Sequence, residues 1–147
     1  MIETEALTKT YGGLTAVDGL TFTVSAGQVL GFLGPNGAGK STTMKMLAGF
    51  LTPSAGRASI CGFDVETDPV EAKKRIGYLP EAPDFYRYLT GIELVEFYGR
   101  MAGVREEDLK AGVERVLAMV VLSEAGRRKI GTYSKGMLQR VGLAQAL

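Results

Sequence analysis

Residues 34 to 41 read Gly34-Pro35-Asn36-Gly37-Ala38-Gly39-Lys40-Ser41 and satisfy the pattern G-x-x-x-x-G-K-[ST] at every defined position. The flanks suit the pattern. Val29-Leu30-Gly31-Phe32-Leu33 reads as a buried strand, and Thr42 to Phe50 reads as a helix. Glycines let the backbone curl so that successive N–H groups converge on an anion. The start of the helix adds its positive dipole end. In that arrangement Lys40 reaches the β- and γ-phosphates of a nucleotide, and the Ser41 hydroxyl is a ligand for Mg²⁺. The bland alternative is a purely structural glycine turn, and the strand–loop–helix context weighs against it.

The 147 residues suggest one domain, and 46% hydrophobic content with six Phe is enough for a core. A net charge of +1 gives no support for nucleic acid as a partner. The longest purely apolar run, Val116 to Leu122, is far too short to span a membrane. The first residues, Met1-Ile2-Glu3-Thr4-Glu5, lack the basic-then-apolar order of a signal peptide. Cys61 stands alone, which excludes an internal disulfide or cysteine metal cluster; it reads as a small buried or half-buried strand residue. The chain has no His, which removes His-based acid/base chemistry and His metal sites.

Periodicity places a strand over Ile2 to Lys9 and a half-buried strand where Leu20, Phe22 and Val24 alternate with Thr21 and Thr23. Ser25-Ala26-Gly27 and Thr52-Pro53-Ser54-Ala55-Gly56 are turns. Arg57 to Cys61 and Ile76 to Leu79 read as short strands, with a charged helix over Asp68 to Arg75 between them. Pro80 to Leu89 reads as a structured loop. Thr90-Gly91-Ile92-Glu93 fits a capping box that opens a helix reaching about Met101. Glu106 to Leu122 is a second helix, with Leu109, Val113, Val116, Leu117 and Val120 at helical spacing. Ser134 reads as the N-cap of a final helix carrying Leu138, Val141 and Leu143. That helical pattern runs to Leu147 without a stop signal, so a fragment is expected.

With these pieces in order, the whole chain resembles an ABC-type ATPase, the nucleotide-binding subunit of an ABC transporter. Tyr11 sits where that family has an adenine-stacking aromatic. Gly34 to Thr42 matches Walker A. Leu79-Pro80-Glu81 sits at the Q-loop, and Tyr133-Ser134-Lys135-Gly136-Met137, followed by Gln139-Arg140, sits at the signature motif. The variants at the last two sites look most like the subgroup exporting drugs, sodium or other cargo through separately encoded membrane subunits.

The resemblance implies an α/β P-loop NTPase fold of the ABC-ATPase kind. It implies one domain over 1–147 with an N-terminal β subdomain, a mainly parallel core and a helical insertion at about 90–131, truncated before the Walker B strand. It implies ATP and Mg²⁺ as ligands. Tyr11, Gly34, Pro35, Asn36, Gly37, Ala38, Gly39, Lys40, Ser41 and Thr42 would hold the nucleotide. Ser134 and Gly136 would face the γ-phosphate held by a partner ATPase domain. Ser41 and Glu81 would contact the metal, and Lys40 and Glu81 are the catalytic candidates. Its further implications are separate transmembrane permease subunits, a homodimer or pseudo-dimer of ATPase domains, and a cytoplasmic place on the inner face of the cell membrane.

Three departures qualify this. Glu81 replaces the Q-loop Gln, and the signature carries Lys135 for its first Gly and Met137 for its Gln. No apolar run ends in Asp-Glu, and the switch His is absent. The nucleotide-binding half of the machinery is therefore present without the hydrolytic half, and the chain alone is expected to be inactive. Blander readings stay open: Tyr11 as a packing aromatic, Glu81 as a solvated carboxylate, Ser134 as an N-cap. Asp84, Phe85, Tyr86 and Tyr88 either pack their loop or contact membrane subunits. Arg127-Arg128-Lys129 reads as a solvated turn. The rival functions are a soluble ABC-type ATPase of translation or DNA repair, a non-catalytic nucleotide-binding regulator or inactive fragment, and a P-loop kinase. The signature segment argues against the last.

Overall fold

β1 (Ile2–Tyr11) pairs antiparallel with β2 (Leu14–Val24), from Ile2 opposite Val24 to Tyr11 opposite Leu14. The connection is the two-residue turn Gly12-Gly13, the length a hairpin of this register requires. β1 also pairs with β3 (Ala55–Ile60), which pairs with β4 (Phe63–Asp64), giving the order β2-β1-β3-β4 with every pairing antiparallel. The computed structural model describes residues 1–147 and divides into two compact units, 1–76 and 77–147. The sheet belongs to the first.

Period-two alternation along β2 is as expected: Leu20 and Phe22 are half-buried and Val24 buried, while Thr21 and Thr23 are exposed. The apolar face meets α1 (Lys40–Leu47). Leu7, Val17, Ala58 and Ile60 of the sheet pack with Met46 and Leu47 of the helix. Ala72 of α2 (Pro69–Lys73), a helix shorter than expected, joins the same core.

Three expectations fail in this unit. Residues 29–33 form no strand, and Val29 and Leu33 are 99% and 96% exposed. A strand needs a hydrogen-bonding neighbour, and none of β1 to β4 runs beside this segment. Phe32 sets its ring edge-on to Phe22 at 5.6 Å. For the same reason the expected mainly parallel core is replaced by an antiparallel sheet. Cys61 is exposed instead of buried. It shares the tight turn between Ile60 and Phe63 with Gly62, both at positive φ (51° and 84°), as a type I′ hairpin requires.

The second unit is helical: α3 (Gly91–Met101), α4 (Glu106–Met119), a 3-10 turn at Ile130–Thr132 and α5 (Lys135–Ala144). Thr90 and Glu93 close the expected capping box on α3. Leu109, Val113, Val116, Leu117 and Val120 are buried as their spacing demands, against Leu94, Leu122, Ile130 and Val141. α4 stops at Met119, not Leu122, because Val121 takes a left-handed conformation (φ 57°). Leu143 is exposed, and α5 buries Val141, Gly142 and Ala144 instead. Ile76 to Leu79 is not a strand. No helix is long and apolar enough to cross a membrane.

Candidate functional site

The loop before α1 is shaped by Gly37 and Gly39, both left-handed (φ 86° and 80°). Gly39 is the N-cap of α1, and a Cβ there would overlap the Ala16 carbonyl oxygen of β2. Conformation and contact therefore both demand glycine. The Thr43 N–H and its buried hydroxyl both donate to the Gly39 carbonyl, at 2.8 and 3.0 Å, locking the first helical turn. Ala38 closes a tight turn by donating to the Pro35 carbonyl at 3.3 Å.

This geometry leaves donors aimed outward. The N–H groups of Gly39, Lys40, Ser41 and Thr42 meet no protein acceptor, as the first turn of a helix dictates. The Lys40 ammonium lies back over the loop, donating to the Gly34 and Pro35 carbonyls at 2.6 and 2.7 Å. The Ser41 side chain is exposed and makes no protein hydrogen bond. Four N–H donors, a helix dipole and an ammonium on one short loop are the chemistry of a multiply charged anion site. Asn36 is exposed on the same loop. Tyr11, at the end of β1, has its ring 48% exposed, with the Lys9 ammonium 5.4 Å from the ring centroid.

In the second unit the Glu81 carboxylate is exposed and unpaired, while its backbone carbonyl accepts from Gln139 Nε2 at 2.9 Å. Ser134 caps α5, its hydroxyl accepting from the Met137 N–H at 3.3 Å. The neighbouring Tyr133 is buried, donates to the Ala125 carbonyl at 2.8 Å, and is held above the ordinary tyrosine value by that burial. A Cβ on Gly136 would meet nothing within 4 Å, so neither space nor backbone conformation in this unit calls for glycine there. Phe85, Tyr86, Tyr88, Phe97 and Tyr98 form a linked ring cluster with centroids 5.4–6.4 Å apart. Tyr86 and Tyr88 remain more than half exposed within it.

The structure thus gathers Gly34 to Thr42 on one loop with Tyr11 in the same unit, and gathers Glu81, Ser134 and Gly136 in the other. No group of three or more His, Cys, Asp or Glu side chains stands together. The donor set still fits Mg²⁺, which takes one or two protein oxygens and completes its shell with phosphate and water. Sequence reasoning missed Thr43, whose back-bond fixes the loop, and Gln145, whose side chain holds the Tyr78 carbonyl. A threonine inside a helix and a glutamine just past the end of one carry no sequence signal for such bonds.

An antiparallel sheet covered by the helix that follows a glycine-rich loop, with a helical unit after it, is an α/β arrangement, and the solved structures it matches are ATP-binding subunits of ABC transporters. Residues 17–147 match the profile of the family described as ABC transporter, and the chain belongs to it. It is 42% identical to the uncharacterized ABC transporter ATP-binding protein YxlF of Bacillus subtilis (strain 168), over 100% of this chain and 48% of that protein. It is 39% identical to the bacitracin transport ATP-binding protein BcrA of Bacillus licheniformis, over 100% of this chain and 47% of that protein. The chain spans about half the length of the curated relatives it matches. It superposes on the dimeric structure of MJ0796, a bacterial ABC transporter cassette, with a TM-score of 0.85 and 27% identity, covering 100% of this chain and 69% of that one.

Proposed function

We propose that this chain binds MgATP through residues 34–42. The observation that carries the reading is the set of four N–H donors at the head of α1, unclaimed by the protein and backed by the Lys40 ammonium. On nucleotide entry the ammonium exchanges the Gly34 and Pro35 carbonyls for β- and γ-phosphate oxygens. Ser41 supplies its hydroxyl to Mg²⁺, which offsets phosphate charge when bound, and Glu81 supplies a carboxylate oxygen. Tyr11 offers its open ring face to the base.

At the relatives' full length, both units belong to one ATPase cassette whose hydrolysis drives transport through separate membrane subunits. Relatives named for bacitracin transport and for drug resistance support this. A head-to-tail pair of cassettes would seat one copy's γ-phosphate on Ser134 and Gly136 of the other. The dimeric cassette structure supports that reading, as does a glycine that its own unit does not require. The exposed aromatics Tyr86 and Tyr88 would meet the membrane subunits, holding the cassette at the inner face of the cell membrane.

Titration with a fluorescent ATP analogue tests the core of this. Lys40→Ala removes charge-assisted bonds worth about 1.5–3 kcal/mol each, so the dissociation constant is expected to rise by roughly tenfold or more. An unchanged constant in a variant with the parent's melting curve would rule the site out.

A further inference from the structure

Residues 77–85 belong to no helix or strand, and Pro80 and Pro83 lack the N–H groups that a ladder needs. Side chains of α5 and of its C-cap residue hold this segment instead. Gln139 Nε2 donates to the Glu81 carbonyl at 2.9 Å, and Gln145 Nε2 donates to the Tyr78 carbonyl at 2.9 Å while also reaching the Gly142 carbonyl. Between the two glutamines Gly142 lies so close to Leu79 and Phe85 that a Cβ would collide with the Leu79 side chain. At the near end a Cβ on Gly77 would overlap the Ala146 carbonyl.

We propose that Gln139 and Gln145 are positioning residues that clamp residues 78–81 to α5, so that Glu81 keeps a fixed place relative to Ser134 and Gly136. The roles of those three residues rest on the nucleotide reading above; the clamp itself does not. The chemistry selects glutamine. A neutral amide has the reach and the donor, whereas an ionised Glu of the same shape would set a carboxylate oxygen against a carbonyl oxygen. Movement of the Glu81 segment without α5 would break both bonds and open the Gly142 contact.

Backbone ¹⁵N order parameters of the whole chain test the clamp. Residues 78–82 are expected to match α5 at about 0.85, and to fall below about 0.6 in Gln139→Glu/Gln145→Glu while α3 and α4 are unchanged. Residues 78–82 already mobile in the parent, or unmoved in the double variant, would overturn the clamp. If the double variant loses its fold, Gln139→Met keeps the side-chain volume, removes the donor and is read in the same way. A second measurement separates positioning from mere stability: the ratio of ATP dissociation constants without and with Mg²⁺. That ratio should fall several-fold in Gln139→Glu, towards its value in Glu81→Ala, since a neutral hydrogen bond holds its geometry by up to about tenfold. A ratio lowered by Glu81→Ala but untouched by Gln139→Glu would overturn the positioning role. A ratio untouched by Glu81→Ala itself would overturn the metal role of Glu81, and the order parameters would then decide the clamp.

Discussion

Gln139 donates to the carbonyl of Glu81 at 2.9 Å across 58 positions of sequence. The bond assigns Glu81 to the helical unit that also carries Ser134, since the chain divides between Ile76 and Gly77. A segment that reads as a strand and loop is thus held by amide side chains, not by a sheet. The carboxylate of Glu81 is left exposed because its backbone, not its side chain, carries the structural bond.

Tyr11 separates base from phosphate. Its ring is about half exposed, with the Lys9 ammonium 5.4 Å from the centroid, so Tyr11→Ala removes stacking surface. The loss should be about 1–3 kcal/mol by analogy with base–aromatic stacking. ATP and GTP should weaken alike, and inorganic triphosphate should bind as before. Competition titrations with the three ligands check this, and equal losses for ATP and triphosphate would make Tyr11 structural.

The capping box of α3 predicts a pH response. Glu93 accepts from the Thr90 N–H at 2.7 Å, and that bond lowers its carboxyl below the ordinary value of 4.5. A folded value below the unfolded one means the contribution is complete above 4.5 and is lost as pH falls through the lowered value. Thr90→Ala should cost about 1 kcal/mol near neutrality. Urea melts at pH 7 and pH 3.5 should show the Glu93→Gln penalty shrinking at the lower pH. A pH-independent penalty would remove the carboxylate from the cap.

The helices were legible because each carries its own evidence. Thr90 and Ser134 announce caps, and Leu109 to Val120 repeat on one face. The loop at Gly34 to Ser41 was legible because its glycines answer to local backbone geometry. The strand over 29–33 was misread because burial of Val29 and Leu33 depends on a neighbouring strand that the run itself does not encode. Cys61 was misread by one position, since a type I′ turn shows in sequence only through Gly62. The clamp by Gln139 and Gln145 was illegible for a similar reason. Its acceptors are backbone carbonyls distant in sequence, which look the same at every residue.

Val121 marks a removable strain. α4 ends in a Schellman motif, with Leu122 N–H bonded to the Leu117 carbonyl at 2.8 Å and Val121 N–H to the Ala118 carbonyl at 3.0 Å. Val121 occupies the left-handed position, at φ 57°, where a β-branched residue is an outlier. Its side chain is 77% exposed, so little packing repays the strain. Relief of about 1–2 kcal/mol, less the greater chain entropy of glycine at about 0.5–1 kcal/mol, should leave Val121→Gly slightly more stable. The Arg140 guanidinium, which donates to the Val121 carbonyl at 3.0 Å, should be unaffected. A lower denaturation midpoint in the variant would show that the strain is not real.

Val29 and Leu33 make the last prediction. Both are almost fully exposed, with Leu30 about half exposed between them, so residues 29–33 present an apolar edge with unpaired backbone groups. Such an edge templates association with other chains. The chain of residues 1–147 should therefore bind an apolar dye and grow in hydrodynamic radius with concentration. Val29→Thr/Leu33→Thr replaces both apolar side chains with polar ones that are still suited to extended backbone. Side chains this exposed contribute almost no buried area, and stabilisation scales with buried area at about 25 cal/mol per Å². The double variant should accordingly bind less dye and associate less, with its melting midpoint unchanged. A marked drop in the midpoint would mean that these side chains are packed in solution, and undiminished association would place the sticky surface elsewhere.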